Sequence, residues 1–202
     1  MMTVIVNPDP RQQMVVSAVA LMREQGVGAA SFSRVLERSG APRGSIYHHF
    51  PEGKAQLVEE ATRYAGEYIA AGLAAALQSD DPVAAIRGFT ASWKRILERW
   101  DYGAGCTVVA AALEGDRTPG AREAARDAFA GWQDLLAGAF VEQGVPEERA
   151  RSLAALTVAS VEGAVVLARA ERSPEPLERV AAELSALVEG ALAARSTGTH
   201  AK

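Results

Sequence analysis

Between Ser39 and Leu57 the chain reads SGAPRGSIYHHFPEGKAQL. A guanidinium (Arg43), a hydroxyl (Ser45), a phenol (Tyr47), an imidazole (His48) and an ammonium (Lys54) crowd into this short stretch. These groups donate hydrogen bonds to phosphate oxygens and base edges. On a wheel of about 100° per residue, Ile46 and Phe50 share one side, with His49 at its edge. Gly44, Tyr47 and His48 point to the other, flanked by Arg43 and Ser45. One side can be buried while the other stays open to a polar partner. Gly44 lets a backbone come close because no side chain intervenes. His48 and His49 are adjacent and do not face each other, so neither a metal nor a cofactor is expected.

Such a face needs helices to hold it. Asp9-Pro10 opens a helix running to about Gln25, with Val15, Ala18, Val19 and Met22 on one stripe. Gly26 and Gly28 close it. Ser31 caps a short second helix carrying Phe32, Val35 and Leu36, and Ser39-Gly40 ends it. A third helix is expected from Pro42 to about His49, because a proline at the first helical position loses no hydrogen bond. Two short helices joined by Ser39-Gly40-Ala41 and backed by a first are the helix-turn-helix arrangement, whose second helix leads into a major groove with its N-terminal end. Pro51 and Gly53 make the next corner. Lys54 then opens a long helix to Leu77, where unpaired N–H groups favour an anion.

Further helices read as Val83–Trp100, Cys106–Leu113, Gly120–Gln143, Pro146–Arg169 and Pro176–Ala194, giving an all-α chain of about nine helices. The closing STGTHAK is expected to be disordered. Phe89, Trp93, Ile96 and Trp100 share one helix face, and Phe129, Trp132, Leu136 and Phe140 another. Between them lies the small, nearly uncharged CTVVAAAL, with Cys106, Val109 and Leu113. Large rings opposed to small residues make either a cavity for an apolar or aromatic ligand or ordinary core. Cys106 reads as a small buried residue or as a thiol at a helix N-terminus. Val161, Glu162 and Val165 complete the candidate lining, Glu162 being either a polar contact for a ligand or an exposed or interface carboxylate. Leu156, Ser160, Gly163, Ala164 and Leu167, with Leu184, Leu187, Val188 and Ala191, stripe the last two helices as an association surface between two copies, or as core.

Composition agrees with a soluble helical protein. The 202 residues are 49% hydrophobic and 23% charged, which suits one large or two small cores. The single cysteine allows no intrachain disulfide, so a cytoplasmic location is expected. No apolar run is expected to reach the roughly 20 residues of a membrane span, and MMTVIVNPDP lacks the basic start of a signal peptide. Net charge is −4, yet up to Val58 the basic residues (Arg11, Arg23, Arg34, Arg38, Arg43, Lys54) outnumber the acidic ones (Asp9, Glu24, Glu37, Glu52). A basic head on an acidic body fits local contact with phosphates. No Gly-x-Ser-x-Gly, phosphate loop or metal-spaced His/Cys cluster is present, so no enzyme is expected.

Arg11 to Leu57 resembles the N-terminal domain of the TetR/AcrR family of bacterial repressors. SGAPRGSIYHHFPEGKAQL, and more weakly GCTVVAAALEG (Gly105–Gly115), resemble its LmrA/YxaF-like branch. Leu36 and Pro42 depart from the common pattern, in which a small residue and a hydroxyl cap stand there. The resemblance implies a helix-turn-helix domain over residues 1–53, a ligand-binding and dimerisation domain over 54–195 and a tail over 196–202. It implies a homodimeric repressor on a palindromic operator, released by a small apolar or aromatic effector. By that resemblance Ser33, Arg34, Arg43, Gly44, Ser45, Tyr47, His48 and Lys54 face DNA, and Ser31 both caps its helix and touches phosphate.

Overall fold

The structure is a computed structural model that describes residues 9–78, 81–114 and 118–198. Among these, nine α-helices and one 3₁₀ turn follow one another and no strand occurs. They are α1 (Pro10–Gln25), the 3₁₀ turn Val27–Ala29, α2 (Phe32–Ser39), α3 (Ser45–His49), α4 (Lys54–Ala76), α5 (Pro82–Arg99), α6 (Thr107–Leu113), α7 (Pro119–Glu142), α8 (Glu147–Glu171) and α9 (Glu175–Gly198). By contacts the chain forms two compact units. One is the chain up to Ala65 with Thr107–Ala125; the other is Gly66–Cys106 with Arg126 onward. The division falls inside α4 and α7.

In the first unit local chemistry sets the ends of the helices. The Arg11 N–H donates to Asp9 Oδ1 at 3.2 Å ahead of Pro10, and the Arg34 N–H reaches Ser31 Oγ at 3.5 Å, a long cap. Gly40 ends α2 in the left-handed region (φ 68°), where a glycine has no side-chain penalty. α3 begins three residues later than expected. The Ser45 N–H and its Oγ–H both donate to the Pro42 carbonyl, at 3.0 and 2.7 Å, so Pro42 starts a turn that only then becomes helix. Met14, Ala18, Met22, Val35, Ile46, Phe50, Leu57 and Val58 are buried, and α1 packs on α2, α3 and α6. Arg38 pairs with Glu24 through two hydrogen bonds of 2.9 and 2.8 Å, tying α2 to α1.

In the second unit Asp81 caps α5, accepting from Val83 and Ala84 N–H at 2.9 and 3.1 Å before Pro82. α5, α8 and α9 pack on one another. α8 is long and apolar enough to cross a membrane, contrary to the sequence expectation. Its side from Ala150 to Ala168 is buried at i, i+3/i+4 spacing, which is the position of a core helix. α9 continues to Gly198, so the first three residues of the expected tail are helical, while 199–202 lie outside the described residues.

Candidate nucleic-acid interface and effector region

α3 separates its two sides sharply. Ile46 and Phe50 are fully buried, and the Arg11 guanidinium sits 5.4 Å from the Phe50 ring centroid. Arg43, Gly44 and His48 are exposed, Ser45 is half-buried, and Tyr47 keeps 69% of its surface in water. A phenol so exposed contributes little to the core, yet it is not loose. Its ring stands edge-on to Phe32 at 5.4 Å, which limits how the ring can turn. Ser33 is exposed on α2, its Oγ 3.2 Å from Ser31 Oγ. Arg34 is held by Gln25 Oε1 at 2.9 Å, and Lys54 Nζ donates to the Gly28 carbonyl at 3.1 Å. These side chains lie on one unit and none opposes another. They can donate to a polyanion but offer no nucleophile–base pair.

The expected effector lining is only partly assembled. Phe89, Trp93, Cys106, Trp132, Leu136, Val161, Glu162 and Val165 are buried in the second unit, with Ile96 and Phe129 half-buried. Phe129 and Trp132 stack edge to face at 5.2 Å, and Trp132 Nε1 donates to Gly66 O at 3.0 Å, so this tryptophan is a satisfied core residue. Val109 and Leu113 belong to the first unit. Leu113 is 82% exposed, because Thr107, Val108 and Ala111 take the inner face of α6 and residue 113 lies roughly 200° round from 111. Trp100 is also exposed, at the end of α5. The two clefts described lie elsewhere in the second unit. One of about 470 Å³ runs between Arg87, Thr90 and Lys94 of α5 and Leu177, Glu178 and Ala181 of α9; the other, about 640 Å³, is bordered by Gly144, Pro146, Arg149, Leu187, Gly190 and Ala191. Glu178 bridges the first cleft to Lys94 at 2.6 Å, and its hydrogen bond and charge hold the ammonium pKa above its usual value.

Glu162 is the exception inside this core. It is 8% exposed, which excludes the exposed-carboxylate reading, and neither carboxylate oxygen has a partner of ordinary hydrogen-bond geometry. Burial pushes its pKa up to about 7, while the Cys106 thiol, a weak donor, draws it back down. The same helix holds the preceding loop from outside. Arg172 pairs with Asp101 at 2.6 Å, and Arg169 donates to the Gly103 carbonyl at 3.3 Å. Asp101 and Tyr102 there adopt positive φ (48° and 56°). Nothing local in DYGAG announced these partners some seventy residues away.

Of the association stripe, Leu156, Gly163, Leu167 and Leu187 are exposed and Ser160 and Ala191 half-buried. Ala164, Leu184 and Val188 are instead covered by the protein itself. A side chain with no free surface has none to give a second copy, so these three are core.

An all-α chain that exposes a donor-rich α3 from a three-helix head has the make-up of a DNA-binding regulator, and the comparisons identify its family. The chain belongs to the TetR family: residues 15–61 match the N-terminal domain of bacterial regulatory proteins of the tetR family, and residues 82–183 match the C-terminal domain of LmrA/YxaF-like transcriptional regulators. It is 41% identical to the HTH-type transcriptional regulator Rv0196 of Mycobacterium tuberculosis, over 93% of this chain and 98% of that one. It is 30% identical to YxaF of Bacillus subtilis, over 89% and 95%. Among solved structures, a TetR transcriptional regulator from Chloroflexus aurantiacus superposes with a TM-score of 0.75 at 31% identity, over 89% and 94% of the two chains. The regulatory protein TetR from Rhodobacter sphaeroides shares the fold, with a TM-score of 0.80 over 88% and 98%. The chain is a transcriptional regulator, as these relatives are, and not an enzyme.

Proposed function

We propose that the protein is a cytoplasmic homodimeric repressor that grips a pseudo-palindromic operator and is released by a small apolar or aromatic effector. The observation carrying this reading is the open polar side of residues 43–48 above a buried Ile46 and Phe50. Arg43, Gly44, Ser45, Tyr47 and His48 enter the major groove, and Ser31, Ser33, Arg34 and Lys54 hold flanking phosphates. Exposed Leu156, Gly163, Leu167 and Leu187 supply the contact between copies, setting two heads about 34–36 Å apart. The effector lies among the buried rings of the second unit, beside the carboxylate of Glu162, whose oxygens have no partner of ordinary hydrogen-bond geometry. Residues 1–53 and 54–195 are the two functional parts.

The test is selection of bound duplexes from a random pool, then titration at several salt concentrations and with candidate aromatic compounds. Binding should fall steeply with salt and centre on a two-fold sequence. Recovery of no common sequence would sink the reading.

A further inference from the structure

The turn that enters α2 is held by a residue far along the chain. Glu114 directly follows α6, and its Oε1 accepts the Val27 N–H at 3.0 Å. Gly26, beside it, has φ 82°, and a Cβ built there would stand 2.6 Å from the same oxygen. Glycine is thus required twice, for the backbone conformation and for the carboxylate. On the far side of this turn the Lys54 ammonium takes the Gly28 carbonyl. The turn is clamped between an acid and a base. α6 is itself fastened to the head: the Thr107 hydroxyl donates to the Val19 carbonyl of α1 at 3.2 Å, and Glu59 of α4 closes on Gly120 in the first turn of α7.

We propose that Glu114 is a positioning residue for DNA recognition: its carboxylate fixes the turn entering α2, so that α6 sets how α2 and α3 meet the duplex. The proposal rests on the reading of α2–α3 as the DNA face. Two effects of this acid have opposite signs. As a bare negative charge on a DNA-binding head it weakens attraction to any duplex, and removing it strengthens binding of every sequence alike. As a clamp it is needed for sequence discrimination, which depends on geometry, and not for the non-specific attraction.

Glu114→Gln removes the charge and keeps an acceptor at the same reach. Glu114→Asp keeps the charge and withdraws it by one methylene. The full chain is titrated with the duplex that the wild-type protein selects and with a shuffled duplex of equal length, and Val27 amide exchange is followed in parallel. Glu114→Asp should lower the ratio of selected to shuffled affinity about ten- to a hundredfold, the scale of a lost hydrogen bond to a charged group, and speed Val27 exchange. Glu114→Gln should stay within about threefold of wild type in both. An unchanged ratio in Glu114→Asp, or an equal loss in both variants, overturns the clamp. A wild-type protein that selects no duplex overturns the DNA face instead.

Discussion

The carboxylate of Glu162 makes stability depend on pH in a direction opposite to most acids. Its pKa rises from the usual 4.5 to about 7 because burial disfavours the charged form. Between these values the folded chain keeps a proton that the unfolded chain has released. The stabilising term is complete below about pH 4.5 and is lost as pH climbs through 7. At roughly 1.4 kcal/mol per unit, raising pH from 5 to 8 costs the folded state roughly 2–3 kcal/mol through this one group. Glu162→Gln cannot ionise, so its stability relative to wild type should improve by that amount over the same interval, even if the amide itself packs better or worse by a constant. Urea unfolding followed by circular dichroism at pH 5, 6, 7 and 8, at fixed protein concentration because association adds to stability, measures the difference. In melting temperature the relative gain is about 5–10 °C for a chain of this size. A wild-type-to-variant difference that stays flat across the range would refute the reasoning. It would mean that the carboxylate is solvated or paired in solution.

Three other outcomes follow from the placement of single side chains. Phe50→Ala removes a fully buried ring and should cost about 3–5 kcal/mol in denaturant unfolding, whereas Tyr47→Ala, on the open side of the same helix, should cost under about 1 kcal/mol and still abolish sequence-selective binding in a mobility-shift assay. Lys54→Gln should reduce the slope of log affinity against log salt by about one; an unchanged slope would show that its ammonium stays on Gly28 O in the complex. Leu167→Glu combined with Leu187→Glu places charges on two exposed apolar positions, and sedimentation should show monomers with an unchanged helical spectrum.

What the sequence declared and what it withheld divide along a physical line. Signals confined to a few neighbouring residues were legible. Asp9-Pro10, Ser31, Gly40 and Asp81-Pro82 mark ends where the capping residue and its partner lie within a few positions of each other, and the two-sided pattern of residues 43–50 survives in the structure because burial of Ile46 and Phe50 forces it. Pro42 misled for a local reason too. Proline suits a first helical position, but its carbonyl was taken by Ser45 before a helix could form. Periodicity also separated inner from outer faces on α5 and α8. It does not say which compact unit a residue will belong to, as for Val109 and Leu113, or which positions of a stripe the chain will cover itself, as at Ala164, Leu184 and Val188. Least legible were single polar contacts across long separations. Glu114 on Val27 and Arg172 on Asp101 join residues whose local sequences carry no mark of each other, since a carboxylate can take a backbone N–H, as from Val27, or a guanidinium, as from Arg172, and either can come from anywhere in the chain. Gly26 is the partial exception. Its role as a helix-ending glycine of positive φ is legible from the sequence alone, but the second demand, room for the Glu114 oxygen, shows only once the partner is in place.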